Sequence, residues 1–276
     1  MLDLAARGGF VRREGRTGTT EGAFSLTGRA TPEARIGSVV LAEQPRIVLA
    51  VAADSKRLAR ALRYGADILE FRADQMPEPT AAQAQRTVRR LRRHGRPILL
   101  TIRSTREGGL RPLGDRQRRE LFLALLPLVD AVDCELRSLR VLRPVVEAAR
   151  QQSRPVLVSY HDFVCTPSLS VLERLFERAR AQGADVVKVA TQVQSREDLV
   201  RLFLFTWSRR TFPIVTMGMG TMASVSRLVL PIVGSRLIYT SLDPVLGQIP
   251  LARLVEDLRF YFPSSAGDPA AGRARS

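Results

Sequence analysis

The hydrophobic and polar positions of the chain follow two alternating periodicities between residues 46 and 241. Short apolar runs rich in β-branched residues predict strands at 46–52, 67–73, 97–103, 129–136, 155–161, 185–191, 213–219 and 237–241. Stretches of helical periodicity with arginine-rich faces separate them, for example at 80–93, 115–126, 138–151, 168–181 and 195–209. Eight strands alternating with about eight helices predict an α/β fold, a single closed (β/α)8 TIM barrel.

An open doubly wound sheet is the alternative architecture. It would place a glycine-rich phosphate loop after the first strand, and "AVAADSKR" contains no glycine. We assign the barrel to residues 34–263 and expect the segment "RIGSVVLAE" (35–43) to form a small hairpin that closes the barrel floor. Residues 1–33 and 264–276 lack periodicity, which predicts a flexible extension and a flexible tail.

Composition narrows the class of protein. No apolar run approaches the roughly 20 residues of a membrane span, and the N-terminal segment has no apolar stretch long enough for a secretory signal. The two cysteines, Cys134 and Cys165, make no disulfide framework. These features predict a soluble cytoplasmic protein without a membrane partner.

The formal net charge of +16 raises the question of a nucleic-acid partner. The arginines fall mainly on predicted helix faces, aromatic residues make up 6% of the chain, and no aromatic stripe runs between the basic residues. We therefore interpret the charge as solvated helix faces. A polyanion-binding surface is the alternative.

Polar residues stand near the carboxyl ends of most predicted strands, where the active sites of such barrels lie. Along the chain these residues are Glu70, Arg72, Asp74, Arg103, Glu107, Asp133, Glu135, His161, Lys188, Arg227 and Gln248. Burying charge is costly unless the charge is paired and hydrogen-bonded. So many polar groups at one rim therefore predict a functional site rather than isolated structural ion pairs.

Lys188 is one of two lysines among the 43 basic residues, and it interrupts the apolar run "DVVKVA". A guanidinium stays protonated at working pH, whereas a lysine amine can act as a nucleophile when it is neutral. We expect the apolar neighbours in this run to favour the neutral amine by desolvation, with Arg72 and Arg103 adding to the effect. Lys188 is thus interpreted as a Schiff-base lysine, with a rim salt bridge as the alternative. No His, Cys and carboxylate cluster has metal-ligand spacing, so we expect metal-free chemistry.

Six segments together resemble one family, type I 3-dehydroquinate dehydratase of the shikimate pathway. They are "ILEFRAD", "LLTIRSTREGG", "VSYHDF", "VVKVA", "TMGMGTMASVSRL" and "GQIP", and their order and spacing cover residues 35 to about 260. The resemblance implies a (β/α)8 barrel fold. It also implies an enzyme that acts on 3-dehydroquinate, needs no cofactor and forms homodimers.

The resemblance also implies roles for eight side chains. Lys188 matches the Schiff-base lysine, His161 the general acid/base, and Glu107 the carboxylate that orients this histidine. Residues matching those that hold the ring hydroxyls are Glu70, Arg72 and Arg103, and those matching the carboxylate-binding residues are Arg227 and Gln248.

Two positions depart from the family pattern. Ala50 stands where some members carry a serine, and the loop "SLDPVLGQ" replaces the usual Ser/Thr-Ala-Pro-Gly-Gln, so its hydroxyl is missing. The sequence is also compatible with three other hypotheses. They are a class I aldolase with its Schiff-base lysine on the sixth strand, a non-catalytic nucleic-acid-binding protein, and an enzyme that has lost its activity.

Overall fold

The computed structural model describes residues 34–244 and 247–263. The predicted extension at 1–33 and tail at 264–276 lie outside the described residues.

The described residues form a small hairpin followed by alternating strands and helices. The hairpin strands are β1 (Arg35–Ile36) and β2 (Val39–Val40), and the barrel strands are β3 (Arg46–Val51), β4 (Ile68–Arg72), β5 (Ile98–Thr101), β6 (Ala131–Glu135), β7 (Val156–Asp162), β8 (Val186–Gln192), β9 (Ile214–Met219) and β10 (Leu237–Ser241). The helices are α1 (Lys56–Ala61), α2 (Ala81–Arg92), α3 (Asp115–Leu125), α4 (Leu139–Gln151), α5 (Leu169–Ala181), α6 (Arg196–Arg209), α7 (Ala223–Ile232) and α8 (Leu251–Tyr261). Each strand and helix with predicted bounds is present to within two residues at each end, and the third and fourth predicted strands are each three residues shorter than predicted.

The eight barrel strands are parallel and ordered β10-β3-β4-β5-β6-β7-β8-β9, which confirms the predicted (β/α)8 architecture. The circle is nearly closed. Between β9 and β10 the ladder is reduced to a single bridge from Ile214 to Ser235. The Ser235 hydroxyl supplements it by accepting the Thr216 N–H at 2.9 Å and donating to the Thr216 carbonyl at 3.1 Å.

The floor of the barrel is held by short-range polar contacts and by the hairpin. Asp67, Asp130 and Asp185 each precede a strand and accept a backbone N–H from the preceding strand at 2.7–2.8 Å. Ile36 and Leu41 of the hairpin segment are buried against the inward apolar side chains of the barrel. The predicted floor hairpin is therefore confirmed.

The helices bury one face each and leave most of their arginines outside, with Arg118 of α3 and Arg227 of α7 as buried exceptions. In α2, Ala84, Val88 and Leu91 are buried at helical spacing, whereas Arg89 and Arg90 are exposed. Caps fix the helix starts: the Thr80 and Ser195 hydroxyls accept N–H groups of the first turns of α2 and α6, in capping boxes. Within the described ranges, no helix has the length and apolarity needed to cross a membrane.

Candidate active site

On most strands the inward-facing side chain nearest the barrel floor is apolar, and the next inward-facing side chain, two residues later, is polar. The lowest inward side chains include Ile68, Leu99, Ala131, Leu157, Val186 and Leu237. The next inward positions, two residues further on, carry Glu70, Thr101, Asp133, Ser159, Lys188 and Tyr239. Because side chains on a strand alternate between faces, this step of two places a polar level directly above the apolar floor.

Lys188 lies in this polar level and is 3% exposed. Its Nζ donates to Asp133 Oδ2 at 3.0 Å and lies 3.7 Å from Glu70 Oε1. The ring centroid of Tyr239 is 3.8 Å from Nζ on another side. The amine is thus enclosed by two carboxylates and one aromatic ring.

These contacts differ from the expected surroundings of the amine. Val187 and Val189 point outward from β8, into the hydrophobic core between the strands and the helices. Of the apolar neighbours, only Val186 and Ala190 share the inner face of the barrel with Lys188. The polar atoms in contact with Nζ are carboxylate oxygens rather than the expected cations. The period-two alternation of a strand explains the first difference.

Arg103 lines the pocket, and its guanidinium also forms an ion pair with the Asp133 carboxylate. Its guanidinium donates to both Asp133 oxygens at 3.0 and 2.9 Å and to the Ser159 hydroxyl at 2.6 Å. Burial alone would lower the pKa of Arg103, but the charges of Asp133 and Glu135 outweigh it and raise that pKa. Burial likewise opposes the charge of Asp133, yet Arg103 and Lys188 hold its pKa well below the ordinary value.

A further arginine completes a chain of alternating charges through the barrel wall. Arg118 of α3 is fully buried and its guanidinium binds the Glu135 carboxylate and, at 3.0 Å, the Ile102 carbonyl. Glu135 also accepts the Ser104 N–H at 2.7 Å. The order Lys188, Asp133, Arg103, Glu135, Arg118 alternates in sign, which compensates charges that would be costly to bury singly.

His161 and Glu107 form a hydrogen-bonded pair at the upper end of β7. Glu107 Oε2 accepts the His161 backbone N–H at 3.0 Å and contacts His161 Nδ1 at 2.9 Å. The carboxylate therefore favours the tautomer with hydrogen on Nδ1, which leaves Nε2 as the free basic nitrogen. Glu107 is positioned by a short helical turn, Thr105–Glu107, that ends at Gly108 with φ of 82°.

Burial shifts both members of this pair toward their neutral forms. It lowers the pKa of His161 well below the ordinary value, and the nearby cations Arg103 and Lys188 add to this shift. It raises the pKa of Glu107 to about 7, with Glu135 adding to the effect and Arg103 opposing it. A neutral imidazole beside a carboxyl group that titrates near neutral pH is suited to moving a proton.

Glu70 and Arg72 reach the pocket, whereas Asp74 does not. Glu70 Oε1 accepts the Thr101 hydroxyl at 2.8 Å. Asp74 lies in the turn after β4, where it binds the Arg72 guanidinium at 2.9 and 2.8 Å and accepts the Arg103 N–H at 3.1 Å. Asp74 thus fixes the orientation of Arg72 from behind.

Arg227 is a buried cation, 7% exposed, whose hydrogen bonds within the described residues go to carbonyl oxygens. Its guanidinium donates to the carbonyls of Gly218 at 3.2 Å, Ala223 at 3.1 Å and Gly247 at 2.7 Å. Burial lowers its pKa to about 10. A guanidinium desolvated without a carboxylate in the described structure is suited to bind an anion. Nearby, Gln248 Oε1 accepts the Ser241 hydroxyl at 2.7 Å.

All eight predicted site residues line one pocket of about 350 Å³ at the carboxyl ends of the strands: Glu70, Arg72, Arg103, Glu107, His161, Lys188, Arg227 and Gln248. The pocket also contains Ala50, Phe163 and Tyr239. The structure thus brings the predicted residues together. Val245 and Leu246, in the altered loop before Gln248, lie outside the described residues.

Sequence reasoning gave no role to three side chains that build this site. The sequence marks Asp133 only as a polar residue of a predicted strand, whereas the structure places it in direct contact with the Lys188 amine. The sequence pattern assigns no role to Ser159, which contacts Arg103, or to Tyr239, which contacts Lys188. The alternation of side chains along a strand could have identified Ser159 and Tyr239. Ser159 precedes His161 by two positions, and Tyr239 follows the inward-facing Leu237 by two, so each shares the inner face of its strand.

Comparisons with known proteins agree on one family. A family model described as type I 3-dehydroquinase matches residues 47–265. The chain is 34% identical over 194 residues to the 3-dehydroquinate dehydratase of Thermodesulfovibrio yellowstonii, covering 69% of this chain and 84% of that protein. It is 32% identical over 232 residues to that of Methanosarcina barkeri, covering 81% and 96%.

Solved structures give the same result. A crystal structure of type I 3-dehydroquinate dehydratase from Clostridium difficile, with covalently modified comenic acid, superposes with a TM-score of 0.76 at 27% identity, covering 83% of this chain and 96% of that one. The 3-dehydroquinate dehydratase of Aquifex aeolicus gives a TM-score of 0.72 at 31% identity, covering 79% and 100%. These comparisons place the barrel with its polar upper pocket among the enzymes of the hydro-lyase class. More narrowly, the chain belongs to the type I 3-dehydroquinase family.

Proposed function

We propose that this enzyme eliminates water from 3-dehydroquinate to give 3-dehydroshikimate through an iminium formed on Lys188. The observation that carries the proposal is the placement of a buried, carboxylate-bound amine in the same pocket as a histidine–carboxylate pair. The relatives named above are 3-dehydroquinate dehydratases, which supports the choice of substrate.

The first step joins the amine to the substrate. The lysine amine passes a proton to a neighbouring carboxylate or to solvent, and its lone pair attacks the C3 carbonyl carbon. Loss of the carbonyl oxygen as water leaves a protonated iminium, which withdraws electrons from the ring. Asp133 and Glu70 stand within 3.0 and 3.7 Å of Nζ to hold the developing positive charge.

The second step removes a proton and a hydroxyl group. His161 Nε2 takes the C2 proton, and the electrons of that C–H bond form an enamine. The enamine nitrogen lone pair then re-forms the iminium, the C2=C3 electrons become the C1=C2 double bond, and the C1–O bond breaks. The leaving hydroxyl is protonated by the same histidine to give water. Hydrolysis of the iminium consumes one water and frees Lys188 and 3-dehydroshikimate.

Two groups of side chains are proposed to position the substrate. Glu70, Arg72 and Arg103 face the pocket near the amine and are assigned to the ring hydroxyls. Arg227, with Gln248 beside it, is assigned to the substrate carboxylate. An anion on Arg227 would supply the partner that this buried guanidinium does not find among the described side chains.

Incubation with 3-dehydroquinate tests the proposed activity directly. We expect an absorbance that grows as the conjugated enone of the product forms. Release of a three-carbon fragment from a sugar phosphate would instead support the aldolase reading. Salt-sensitive binding of duplex DNA that survives Lys188→Ala, without enone formation, would support the nucleic-acid reading. The predicted homodimer, cytoplasmic location, and absence of a cofactor or metal stay predictions.

Replacing Glu107 by glutamine is expected to lower kcat by about 10- to 100-fold, less than loss of the imidazole would cost. The carboxylate holds the Nδ1 hydrogen, and its pKa of about 7 means that protonation removes the negative charge as pH falls through neutrality. The wild-type rate should therefore decline on the acid side near pH 7. In Glu107→Gln this limb should move to lower pH, where protonation of His161 sets it.

Glu147→Gln, at an exposed site on α4, is the matched control and should keep the wild-type rate and profile. An unchanged acid limb in Glu107→Gln would contradict the assignment of Glu107.

Arg227→Ala is expected to raise KM strongly, because Arg227 is proposed to carry the substrate carboxylate almost alone. The loop hydroxyl of the family, which would share this charge, is absent at Pro244–Leu246.

Restoring the family loop with P244S/V245A/L246P should lower KM with little change in kcat. A hydrogen bond to a charged group is worth roughly 1.5–3 kcal/mol, so the restored hydroxyl could strengthen binding by about 10- to 150-fold. Titration of the binding of product checks both variants. Unchanged KM in the graft together with normal binding by Arg227→Ala would mean that the carboxylate is held elsewhere.

A further inference from the structure

Tyr239 of β10 presents its ring to the Lys188 amine, and the mechanism above gives this ring no part. Nζ lies 3.8 Å from the ring centroid. An atom in the plane of the ring at that distance would overlap the ring edge, so the amine lies over the face of the ring. The face carries the negative end of the ring quadrupole, which attracts a cation.

The phenol hydroxyl does not account for the presence of this tyrosine. It is buried and has no hydrogen-bond partner among the described residues. Burial raises the pKa of Tyr239 well above the ordinary value, and the charges of Glu70 and Asp133 raise it further, so the phenol stays neutral. An unpartnered buried hydroxyl costs free energy. The contact that benefits the site is therefore the one between the ring face and Nζ.

We propose that Tyr239 is a further catalytic residue, whose ring face stabilises the positive charge on the nitrogen of the Lys188 iminium. This inference rests on the proposed function. The ring is fixed by its place on β10 and lies in the inner apolar cluster, so it does not need to move when the substrate binds.

The chemistry of the nitrogen explains why a ring is useful beside two carboxylates. An ammonium group has three N–H donors, and a protonated iminium has one. Converting Lys188 to the iminium therefore removes N–H donors from a nitrogen that now donates to Asp133 and forms an ion pair with Glu70. The attraction of a cation to a ring face requires no N–H group, so this contact persists when the hydrogen bonds are reduced.

Two substitutions separate the ring from its hydroxyl. Tyr239→Phe keeps the face and removes the unpartnered hydroxyl, so we expect it to trap nearly as much iminium as the wild type. Tyr239→Leu removes the face. Since a desolvated cation–ring contact is worth about 0.5–2 kcal/mol, the trapped fraction should fall about 2- to 30-fold. The readout is the mass of protein reduced with borohydride during turnover. Loss of trapping in Tyr239→Phe equal to that in Tyr239→Leu would overturn the proposal.

Tyr239→Leu could also reduce trapping through a packing defect. A graded change in the electron density of the ring face, at nearly constant volume, separates the two causes. Tyr239→Phe is compared with variants that carry mono-, di- or trifluorinated phenylalanine at the same position, in which fluorine withdraws electrons from the ring face at nearly constant volume. We expect the trapped fraction to fall stepwise, by about 10-fold in all. A flat series would mean that the ring only fills space. Failure of the wild type to form any Lys188 adduct would instead contradict the proposed function, so the two failures are distinguishable.

Discussion

Borohydride reduction in the presence of 3-dehydroquinate is expected to attach one reduced substrate to Lys188. The chain contains one other lysine, Lys56, an exposed residue at the start of α1. Lys188 is enclosed in the pocket, so we expect its labelling to depend on binding of the substrate at the active site. Labelling of the exposed Lys56 would not depend on such binding. Peptide mass mapping checks the position of the added mass.

The two lysines give a simple set of variants. Lys56→Arg should keep both activity and labelling. Lys188→Arg keeps a cation beside Asp133 and Glu70, but a guanidinium cannot form the iminium, so turnover should fall at least about 10³-fold, or roughly 4 kcal/mol of barrier. An active enzyme that is labelled on Lys56, or on neither lysine, would contradict the Schiff-base mechanism.

His161→Ala is expected to reduce kcat by about 10²- to 10⁴-fold, the usual contribution of a positioned acid/base group. The amine of Lys188 is intact in this variant, so the iminium should still form and then accumulate. The measurement is a pair: enone formation for the rate, and borohydride trapping for the covalent intermediate. We expect the first to fall and the second to be kept or increased.

His94 supplies the matched control, because it is the other histidine of the chain and pairs with Asp54 at 2.8 Å, outside the pocket-lining residues. His94→Ala should retain normal turnover. Near-normal turnover in His161→Ala, or loss of trapping together with loss of turnover, would mean that the imidazole does not remove the C2 proton after iminium formation.

The barrel was predictable because each strand is an apolar run and each helix has a solvated, arginine-rich face. The gathering of polar residues at one rim was predictable for a related reason, since the carboxyl ends of parallel strands meet there. The family resemblance then singled out eight of the eleven polar residues as site residues. His161 and Lys188, for example, lie on adjacent strands β7 and β8, in which Ser159 pairs with Lys188 and His161 with Ala190. Strand order alone brings such residues together.

The partners of these residues were harder to predict, because a strand pattern does not say which charges meet across the barrel. Glu70 and Asp133 come from β4 and β6, yet both approach the amine on β8. Arg118 lies on α3, outside the strands of the barrel, where the helical pattern predicts solvated arginines, yet it is buried against Glu135. Such contacts depend on the size and tilt of the closed barrel, which residue spacing along one strand does not contain.

The incomplete ladder between β9 and β10 divides the pocket wall into a stiff part and a compliant part. Strands β3 to β8 are joined by continuous ladders, and they carry Glu70, the histidine and the lysine. At the joint, by contrast, Arg227 reaches from α7 to the carbonyls of Gly218 on β9 and, at 3.4 Å, Tyr239 on β10. Local opening costs least where fewest backbone hydrogen bonds must break. The groups proposed to make and break covalent bonds are thus held rigidly, while the wall beside Arg227, the arginine proposed to bind the substrate carboxylate, can yield as a ligand enters or leaves.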